Sequence, residues 1–480
     1  MEDIVGRIAE QKQLAQLLDS PDAELLAIYG RRRVGKTYLI RNAYEKQLVF
    51  EFSGSHNAAL AKQLELFGQA MVTATGLPVA APPSDWLQAF EQLTRFLEPK
   101  IKKQKKVVFI DEFPWLHTPK SGFKEAFEHF WNMWASKQKN LIVVVCGSAA
   151  AWMIKNIVND RGGLHNRITR KMRLLPFTLG ETEEFLRRRN IKLDRYQLTQ
   201  LYMVMGGVPQ YLKMIDRGES VTSAIDRICF TKDGFLNKEF ENLFHSLFKN
   251  AANHMTVIKA LAQKGKGLTR NEIIDRCNLQ TGGGTTQMLE ELRESGFIEA
   301  YTPHGRSAKD TVYKLIDEYS LFYVKYMANG KLQGPGSWAR FSAGQSWLSW
   351  CGVAFENTCL KHIDQIKQGL GIAGVHTEHY VWRHTPKGQE LGAQIDLLID
   401  RQDQCMNICE LKFSQTDFEI TKRYAEELQA KLEVFQTVSK TNKTLFLTMV
   451  TSHGLKNKNN YLGLVQQELT MEVLFNPTNR

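Results

Sequence analysis

The sequence predicts an α/β protein that begins with a parallel-sheet core and ends with a second α/β domain. Three observations predict this fold class. Residues 25–41 fit a strand, a glycine-rich loop and the start of a helix. Two further apolar strands end in polar residues, at Asp111 and at Ser148. Near the C-terminus, a pair of strands carries Asp396 on one strand and Lys412 on the next.

Composition and length bound the class of protein. A chain of 480 residues is too long for one core, so about three domains are expected. Its apolar content of 43% and charged content of 24% are ordinary for a globular protein. We find no apolar run of membrane-spanning length and no signal peptide, which predicts a cytoplasmic protein with no membrane partner. The net charge of +11 favours an anionic partner, DNA above all.

The glycine-rich loop predicts an ATP site. Its glycines permit the turn that points backbone N–H groups at phosphates, and the following helix adds its N-terminal dipole. We expect Lys36 to reach the β- and γ-phosphates and Thr37 to hold Mg²⁺. The expected nucleotide-contacting residues are Gly30, Arg31, Arg32, Arg33, Val34, Gly35, Lys36 and Thr37.

The other two strand ends supply the remaining candidates for ATP hydrolysis. Asp111 is expected to bind Mg²⁺ through water, and Glu112 to polarise the attacking water. Ser148 is positioned either to contact the γ-phosphate or the lytic water, or to cap a helix that starts at Ala149.

Five ordered motifs resemble AAA+ ATPases of the signal-transduction (STAND) and archaeal type. They cover residues 1 to about 230. Besides the phosphate loop, the motifs are Val5–Glu10 (a "hhGRxxE" box), Gly163–Thr169, Leu174–Thr178 and Met205–Leu212. The resemblance implies that the box, with Arg7, helps to hold the nucleotide. It also implies that Pro209 belongs to a helical lid that closes over the nucleotide.

One arginine is the candidate for neutralising charge in the transition state. Arg167 lies in the segment that resembles the family's "GR(I/T)" motif, and an arginine supplied to a neighbouring subunit would imply a homo-oligomer. A salt bridge within the lid is the alternative role. Arg161 and Arg170 are competing candidates.

Residues 251–316 fit a winged helix. Thr269 is the expected N-cap of its second helix, residues 285–293 its third helix, and residues 304–309 the wing. Such a module binds DNA through its third helix and wing, or packs and transmits lid motion. Glu290 and Glu291 on the third helix would repel phosphates, which favours packing.

The C-terminal region carries a second set of candidate catalytic residues. Glu410 and Lys412 share one face of a strand, and Asp396 from the neighbouring strand can point to the same place. Two carboxylates would bind Mg²⁺, or Mn²⁺, and Lys412 would orient the water or neutralise the phosphorane. Glu356, from a preceding helix, would assist.

This second set resembles the PD-(D/E)xK nuclease fold. The chain also resembles a group in which the same ATPase carries a C-terminal domain of that fold, and 317–326 resembles its beginning. The resemblance implies a metal-dependent DNA endonuclease. A degenerate, non-cutting site remains the alternative, because Glu-x-Lys is a short pattern.

Together these observations predict a P-loop AAA+ core with a helical lid, a winged-helix connector and a restriction-endonuclease-like α/β domain. The expected bounds are 1–175, 176–250, 251–318 and 319–480. The function expected is an ATPase that regulates a DNA endonuclease. The alternative is a STAND-like nucleotide switch with a non-cutting DNA- or protein-binding adaptor, in a defence or mobile-element setting.

Overall fold

The chain divides into two compact units. The computed structural model describes residues 4–77, 81–160, 162–328, 334, 336–384, 392–456 and 463–477. An N-terminal unit comprises Met1–Pro176 with Glu294–Gly296, and a C-terminal unit comprises Phe177–Arg293 with Phe297–Asn479. The division into four parts expected from the sequence stays a prediction.

The N-terminal unit is built on a parallel five-stranded sheet in the order β2-β3-β4-β1-β5. Its central strands are apolar along their whole length because helices cover both faces. The strands are β1 (Glu24–Tyr29), β2 (Leu48–Ser53), β3 (Lys106–Asp111), β4 (Leu141–Gly147) and β5 (Arg170–Arg173). This parallel α/β core confirms the fold expected for the first half of the chain.

Two apolar layers hold this sheet. An aromatic cluster around Trp86, Phe113 and Phe127 packs on one face, and a smaller aliphatic cluster around Leu39 and Val144 packs on the other. The helices are α1 (Ile8–Asp19), α2 (Lys36–Ala43), α3 (Leu60–Thr75), α4 (Trp86–Leu97), α5 (Phe113–Leu116), α6 (Phe123–Met133) and α7 (Ala150–Met153). The parallel strands bring the ends of β1, β3 and β4 to one edge of the sheet, where ligands bind in such folds.

The C-terminal unit begins with helices and a small antiparallel sheet in the order β6-β8-β7. The predicted N-cap is confirmed: Thr269 and Glu272 form a capping box at the start of α14. The elements are α8 (Leu179–Arg188), α9 (Arg195–Met205), α10 (Pro209–Leu212), α11 (Val221–Ile225), α12 (Glu239–Leu247), α13 (Ala251–Ala262), β6 (Leu268–Thr269), α14 (Arg270–Cys277), α15 (Gly283–Glu294), β7 (Ile298–Tyr301) and β8 (Val312–Leu315). The short strand β6 was not expected from the sequence.

A second, mixed sheet follows in the same unit, in the order β15-β13-β11-β10-β9. Strands β9, β10 and β11 are antiparallel, whereas β11, β13 and β15 are parallel. The elements are α16 (Glu318–Phe322), α17 (Ser337–Ser342), α18 (Gln345–Lys361), α19 (Ile363–Gly369), β9 (Thr377–His384), β10 (Ala393–Arg401), β11 (Cys405–Lys412), β12 (Phe418–Glu419), α20 (Lys422–Ser439), β13 (Thr444–Thr451), β14 (Leu455–Lys456) and β15 (Gln467–Thr470). Helix α20 connects β11 to β13 and packs on the sheet through Leu428 and Phe435.

Within the described residues, no helix has both the length and the apolar character that a membrane crossing requires.

Candidate nucleotide-binding and metal sites

The phosphate loop joins β1 to α2 and depends on its glycines. Gly30 has a φ of +144°, and a Cβ there would lie 2.3 Å from the carbonyl oxygen of Leu174. Gly35 is the N-cap of α2 with a φ of +93°, in the left-handed region. A side chain at either position would strain the turn, so the loop can take this shape only with glycine.

Lys36 and Thr37 place a cation and a hydroxyl where a triphosphate would lie. The buried ammonium of Lys36 donates to the carbonyl oxygens of Gly30 and Arg31, at 3.0 and 2.9 Å. The hydroxyl of Thr37 donates to Asp111 Oδ2 at 2.6 Å. The fold therefore brings together the Lys36 ammonium, expected to bind phosphates, and the Thr37 and Asp111 oxygens, expected to bind Mg²⁺.

Glu112 is held in one position beside this pair. Its φ of +46° is in the left-handed region, and its backbone N–H donates to Asp111 Oδ1 at 2.8 Å. Its Oε2 accepts hydrogen bonds from the hydroxyl and the backbone N–H of Ser148, at 2.8 and 3.3 Å. The alternative role for Ser148 is wrong: the N-cap of α7 is Ala149, which makes no side-chain capping bond, and the Ser148 hydroxyl is committed to Glu112.

The four arginines in and near the phosphate loop differ in their burial and in the groups that they contact. Arg7 is buried, and its Nη2 donates to the carbonyl oxygen of Val34 at 3.3 Å, which ties the predicted box to the phosphate loop. Arg31 is buried, while the guanidinium of Arg32 lies 5.5 Å from the ring of Trp115. Arg33 has a φ of +69° and so contributes to the turn.

The C-terminal unit brings Asp396, Glu410 and Lys412 together, as the sequence predicts. Lys412 Nζ lies 3.1 Å from Glu410 Oε2 and 3.9 Å from Asp396 Oδ2. The register of β10 against β9 shifts between Ile395 and Leu398, and Asp396 lies inside that irregularity. There its Oδ2 accepts a hydrogen bond from the backbone N–H of Leu411 at 3.1 Å. The irregularity thus turns the carboxylate towards β11.

Helix α20 adds two further groups to Glu410. Tyr424 donates its hydroxyl to Glu410 Oε2 at 3.0 Å, and Lys431 Nζ lies 2.6 Å from Oε1. Burial alone would raise the pKa of Glu410, but the ammonium groups of Lys412 and Lys431 outweigh it and lower that pKa. Gln429, on the same helix, donates to Glu433 on the exposed side and does not contact Glu410.

Asp396 has the opposite electrostatic surroundings. Burial, followed by the charges of Glu410 and Glu356, raises the pKa of Asp396 to about 7. Two buried carboxylates beside one another favour a bound proton or a bound cation between them.

Glu356 has a partner that the sequence did not suggest. Its Oε2 lies 3.2 Å from Nζ of Lys314, a buried residue on β8. Across the described ranges, no cluster of three or more His, Cys, Asp or Glu side chains is arranged to hold a metal ion.

A comparison with protein families identifies the nucleotide-binding part. The model of an ATPase domain found predominantly in Archaea matches residues 4–215. Residues 4–215 form an archaeal-type P-loop ATPase domain. The assignment confirms the expected ATP binding, with the Mg²⁺ that such domains typically use. The match ends before Asp396, Glu410 and Lys412, so it does not bear on them.

Individual proteins are similar over a larger share of the chain. An uncharacterised protein of Methanocaldococcus jannaschii, MJECL04, is 25% identical over 325 residues, which are 67% of this chain and 68% of that protein. The Walker-type ATPase PABY2304 of Pyrococcus abyssi is 16% identical over 68% of this chain and 97% of its own, with a TM-score of 0.49.

Two further solved structures are similar at lower scores. The ORC2 protein of Aeropyrum pernix is 16% identical over 72% of this chain and 98% of its own, with a TM-score of 0.42. A STAND protein of Pyrococcus horikoshii, PH0952, is 15% identical over 77% of this chain and 50% of its own, with a TM-score of 0.30. Likenesses of this size carry no conclusion about function.

Arg167, Arg170 and Pro209 make no described contact with the phosphate loop. The Arg167 side chain is exposed and makes no ion pair with another described residue, which leaves the salt-bridge alternative without support. Arg161 lies outside the described residues. Arg170 is exposed and donates to the carbonyl oxygen of Thr169 at 3.3 Å. Pro209 opens α10 in the C-terminal unit. The roles of Arg167 and Pro209 stay predictions.

Proposed function

We propose that this ATPase regulates a metal-dependent DNA endonuclease centre in its C-terminal unit. The observation that carries the proposal is a cluster of two buried carboxylates, Asp396 and Glu410, whose oxygens lie 3.9 and 3.1 Å from the partly exposed ammonium of Lys412. Paired charges of this kind cost free energy to bury. Perturbed carboxylates in such a cluster are typical of functional sites.

Each residue of the ATP site has a role in the proposal. Lys36 binds the phosphates, and Thr37 with Asp111 holds Mg²⁺. Glu112 orients the attacking water, and its contact with Ser148 fixes the carboxylate. Arg167, exposed on the surface, neutralises transition-state charge in a neighbouring subunit, so the chain acts as a homo-oligomer.

The surrounding topology supports the nuclease assignment. Helices α18 and α19 precede three antiparallel strands, β9, β10 and β11. The short strand β12 and the crossover helix α20 then lead to β13, which is parallel to β11. The sequence resemblance implies a restriction-endonuclease-like fold, and this order of elements is consistent with it. We infer that residues 319–480 are that domain and that the lid occupies 176–250.

The two carboxylates fit a divalent metal. Asp396 and Glu410 are both buried, and burial, followed by the charge of Glu410, raises the pKa of Asp396, which a bound cation would offset. Mg²⁺ takes one or two carboxylates and keeps several waters, and Mn²⁺ accepts the same ligands. When bound, the metal would stabilise charge on the scissile phosphate.

The chain's own residues would do the rest. Lys412 is about a quarter exposed, so its ammonium can reach a phosphate or a water at the mouth of the site while staying beside Glu410. Tyr424 and Lys431 fix the Glu410 carboxylate from α20. Glu356 is held by Lys314 and acts on Asp396 through its charge.

The connector at 251–318 is inferred to be a winged helix that packs. The ring of His304, in the wing, lies 5.3 Å from the ring of Tyr380 and 6.1 Å from that of Phe435. Its Nε2 is 3.6 Å from Asp400. These contacts join His304 to residues of the second sheet and of α20, which supports packing, and we expect DNA to bind at the carboxylate cluster.

One cleavage assay tests the nuclease proposal. Supercoiled and linear DNA are incubated with Mg²⁺ or Mn²⁺, with and without ATP, using the parent protein, Asp396→Asn and Asp400→Asn. Asp400 lies on the same strand but pairs with Lys443, away from Glu410, so it is a matched control. We expect cutting by the parent and by Asp400→Asn but not by Asp396→Asn. Equal cutting by Asp396→Asn would refute the assignment.

A second function is favoured by one observation. Both oxygens of Glu410 are already bound, by Lys412, Tyr424 and Lys431, which is what a degenerate site would show. The protein would then be a nucleotide switch whose C-terminal domain binds DNA or protein without cutting. That reading predicts ATP retained through gel filtration with negligible turnover, and no cutting with either metal.

A further inference from the structure

An aromatic stack joins the ATPase domain to the end of strand β11. Tyr196, on α9, stacks on Phe413 with ring centroids 4.9 Å apart and planes 8° apart. It also stacks on His453, at 4.9 Å and 29°. Tyr196 lies inside the 4–215 match, whereas Phe413 directly follows Lys412 and His453 follows β13. Helix α9 therefore covers the carboxyl ends of two parallel strands of the second sheet.

Phe413 also contacts the helix that carries Glu356. Its ring lies 5.4 Å from that of Phe355, on α18. Lys412 and Glu356 are thus the chain neighbours of two rings that touch one another. A displacement of Phe413 would move the backbone at Lys412 and, through Phe355, at Glu356, because close-packed rings cannot move independently.

The strand end itself is tied down. The carbonyl oxygen of Lys412 accepts from the backbone N–H of Ser452, at 3.1 Å, and the Ser452 hydroxyl accepts from the Ser414 N–H at 2.9 Å. The ends of β11 and β13 therefore move together. Tyr196 contacts Phe413 and His453, which directly follow the hydrogen-bonded residues Lys412 and Ser452. Its ring therefore packs against the joined ends of β11 and β13.

Helix α9 is fastened next to Tyr196. Arg195 forms two hydrogen bonds with Glu183, at 2.9 and 3.0 Å, and one with Glu472 at 2.5 Å. Its guanidinium lies 4.6 Å from the ring of Phe475. These contacts link α8, α9 and the C-terminal segment. A shift of the lid helices would therefore displace Tyr196.

We propose that Tyr196 is a positioning residue for Lys412. Through Tyr196, the nucleotide state of the ATPase domain changes the position of the end of β11. The catalytic consequence rests on the proposed function; the mechanical link between α9 and β11 does not. The hydroxyl of Tyr196 is buried and has no hydrogen-bond partner among the described residues, so the ring alone provides the link.

Hydrogen–deuterium exchange of the full chain tests the link without requiring DNA cleavage. Exchange of the peptide covering 405–413 is measured with and without AMP-PNP and Mg²⁺ in the parent, Tyr196→Ala and Tyr196→Phe. We expect the nucleotide to change exchange in the parent and in Tyr196→Phe, and the change to be lost in Tyr196→Ala. A fluorescent ATP analogue verifies that each variant still binds nucleotide.

Phe413→Leu removes the other ring of the stack and should likewise abolish the nucleotide-dependent change in exchange. It serves as the test variant if Tyr196→Ala proves poorly folded. No response in the parent, or a full response in Tyr196→Ala or Phe413→Leu, would overturn the proposal. The ratio of cleavage rates with and without ATP is measured on the same proteins, and we expect it to fall to about one in Tyr196→Ala. If the parent responds in exchange but cuts no DNA, the link stands and the nuclease proposal alone fails.

Discussion

The Ser148 hydroxyl donates a hydrogen bond to Glu112 Oε2 at 2.8 Å, and the Ser148 N–H lies 3.3 Å from the same oxygen. The ends of the neighbouring strands β3 and β4 are thereby joined beside the phosphate loop. Since Glu112 is also fixed by its left-handed backbone, its carboxylate has one defined direction.

Replacing Ser148 with alanine should slow ATP hydrolysis and leave ATP binding intact. A hydrogen bond to a charged group stabilises by about 1.5–3 kcal/mol, so its loss should lower kcat by about tenfold to a hundredfold. Steady-state hydrolysis and equilibrium binding separate the two effects. Glu112→Gln is the reference for complete loss of the carboxylate, and an unchanged kcat in Ser148→Ala would show that the contact has no part in hydrolysis.

Arg167→Ala should lower ATP turnover at least about a hundredfold if Arg167 completes a neighbouring subunit's site. The parent's specific activity should then rise with protein concentration, because the arginine comes from another chain. Lys171→Ala, an exposed cation nearby, is the control. Turnover that is independent of Arg167 would remove the expectation of a homo-oligomer, and Arg170→Ala would become the next variant to measure.

Lys431→Gln should tighten metal binding at the second site. Lys431 occupies Glu410 Oε1 at 2.6 Å, so a divalent cation must compete with its ammonium group. We expect the Mn²⁺ concentration at half-saturation to fall about threefold to tenfold, measured by electron paramagnetic resonance on nucleotide-free protein. Lys422→Gln, exposed at the start of α20, should have no effect. Weaker Mn²⁺ binding in Lys431→Gln would show that Lys431 supports the metal site.

Asp160 should contribute a pH-dependent part of the stability of the N-terminal unit. Burial alone would raise its pKa, but hydrogen bonds from Lys124 and from the N–H groups of Leu164 and Gly162 lower it. Ionised Asp160 therefore stabilises the fold above about pH 4, and that contribution is lost as the pH falls through its lowered pKa.

The Tm of Asp160→Asn should accordingly fall by a few degrees at pH 7 and by less near pH 3. Thermal unfolding at both values measures this, with Asp19→Asn, an exposed carboxylate, as the control. A Tm deficit that is the same at both pH values would mean that the carboxylate's charge is not what stabilises the turn.

Local patterns predicted the parts that depend on neighbouring residues. The phosphate loop needs glycine at 30 and 35 for its turn, and the two-residue spacing of Glu410 and Lys412 puts both side chains on one face of β11. The same holds for the capping box at Thr269. In each case the physical constraint acts within a few residues, so the sequence contains it.

Long-range partners could not be predicted. Lys314 and Glu356 are separated by 42 positions, and each side chain alone is compatible with a solvent-exposed role. The contact of Tyr196 with Phe413 depends on how α9 packs against β11, for which no periodic pattern exists. Ser148 was only partly predictable. The sequence predicted its place at the end of a strand, but its hydrogen bond to Glu112 depends on tertiary geometry.

Measuring ATP hydrolysis and DNA cleavage on the same preparations of the parent, Lys36→Ala and Asp396→Asn tests most directly the proposal that the ATPase regulates a nuclease centre. We expect Asp396→Asn to hydrolyse ATP at the parent rate and to cut no DNA. We expect Lys36→Ala to bind no ATP and to show no ATP-dependent change in cutting. Cutting that survives in Asp396→Asn, or that responds to ATP in Lys36→Ala, would contradict the proposal.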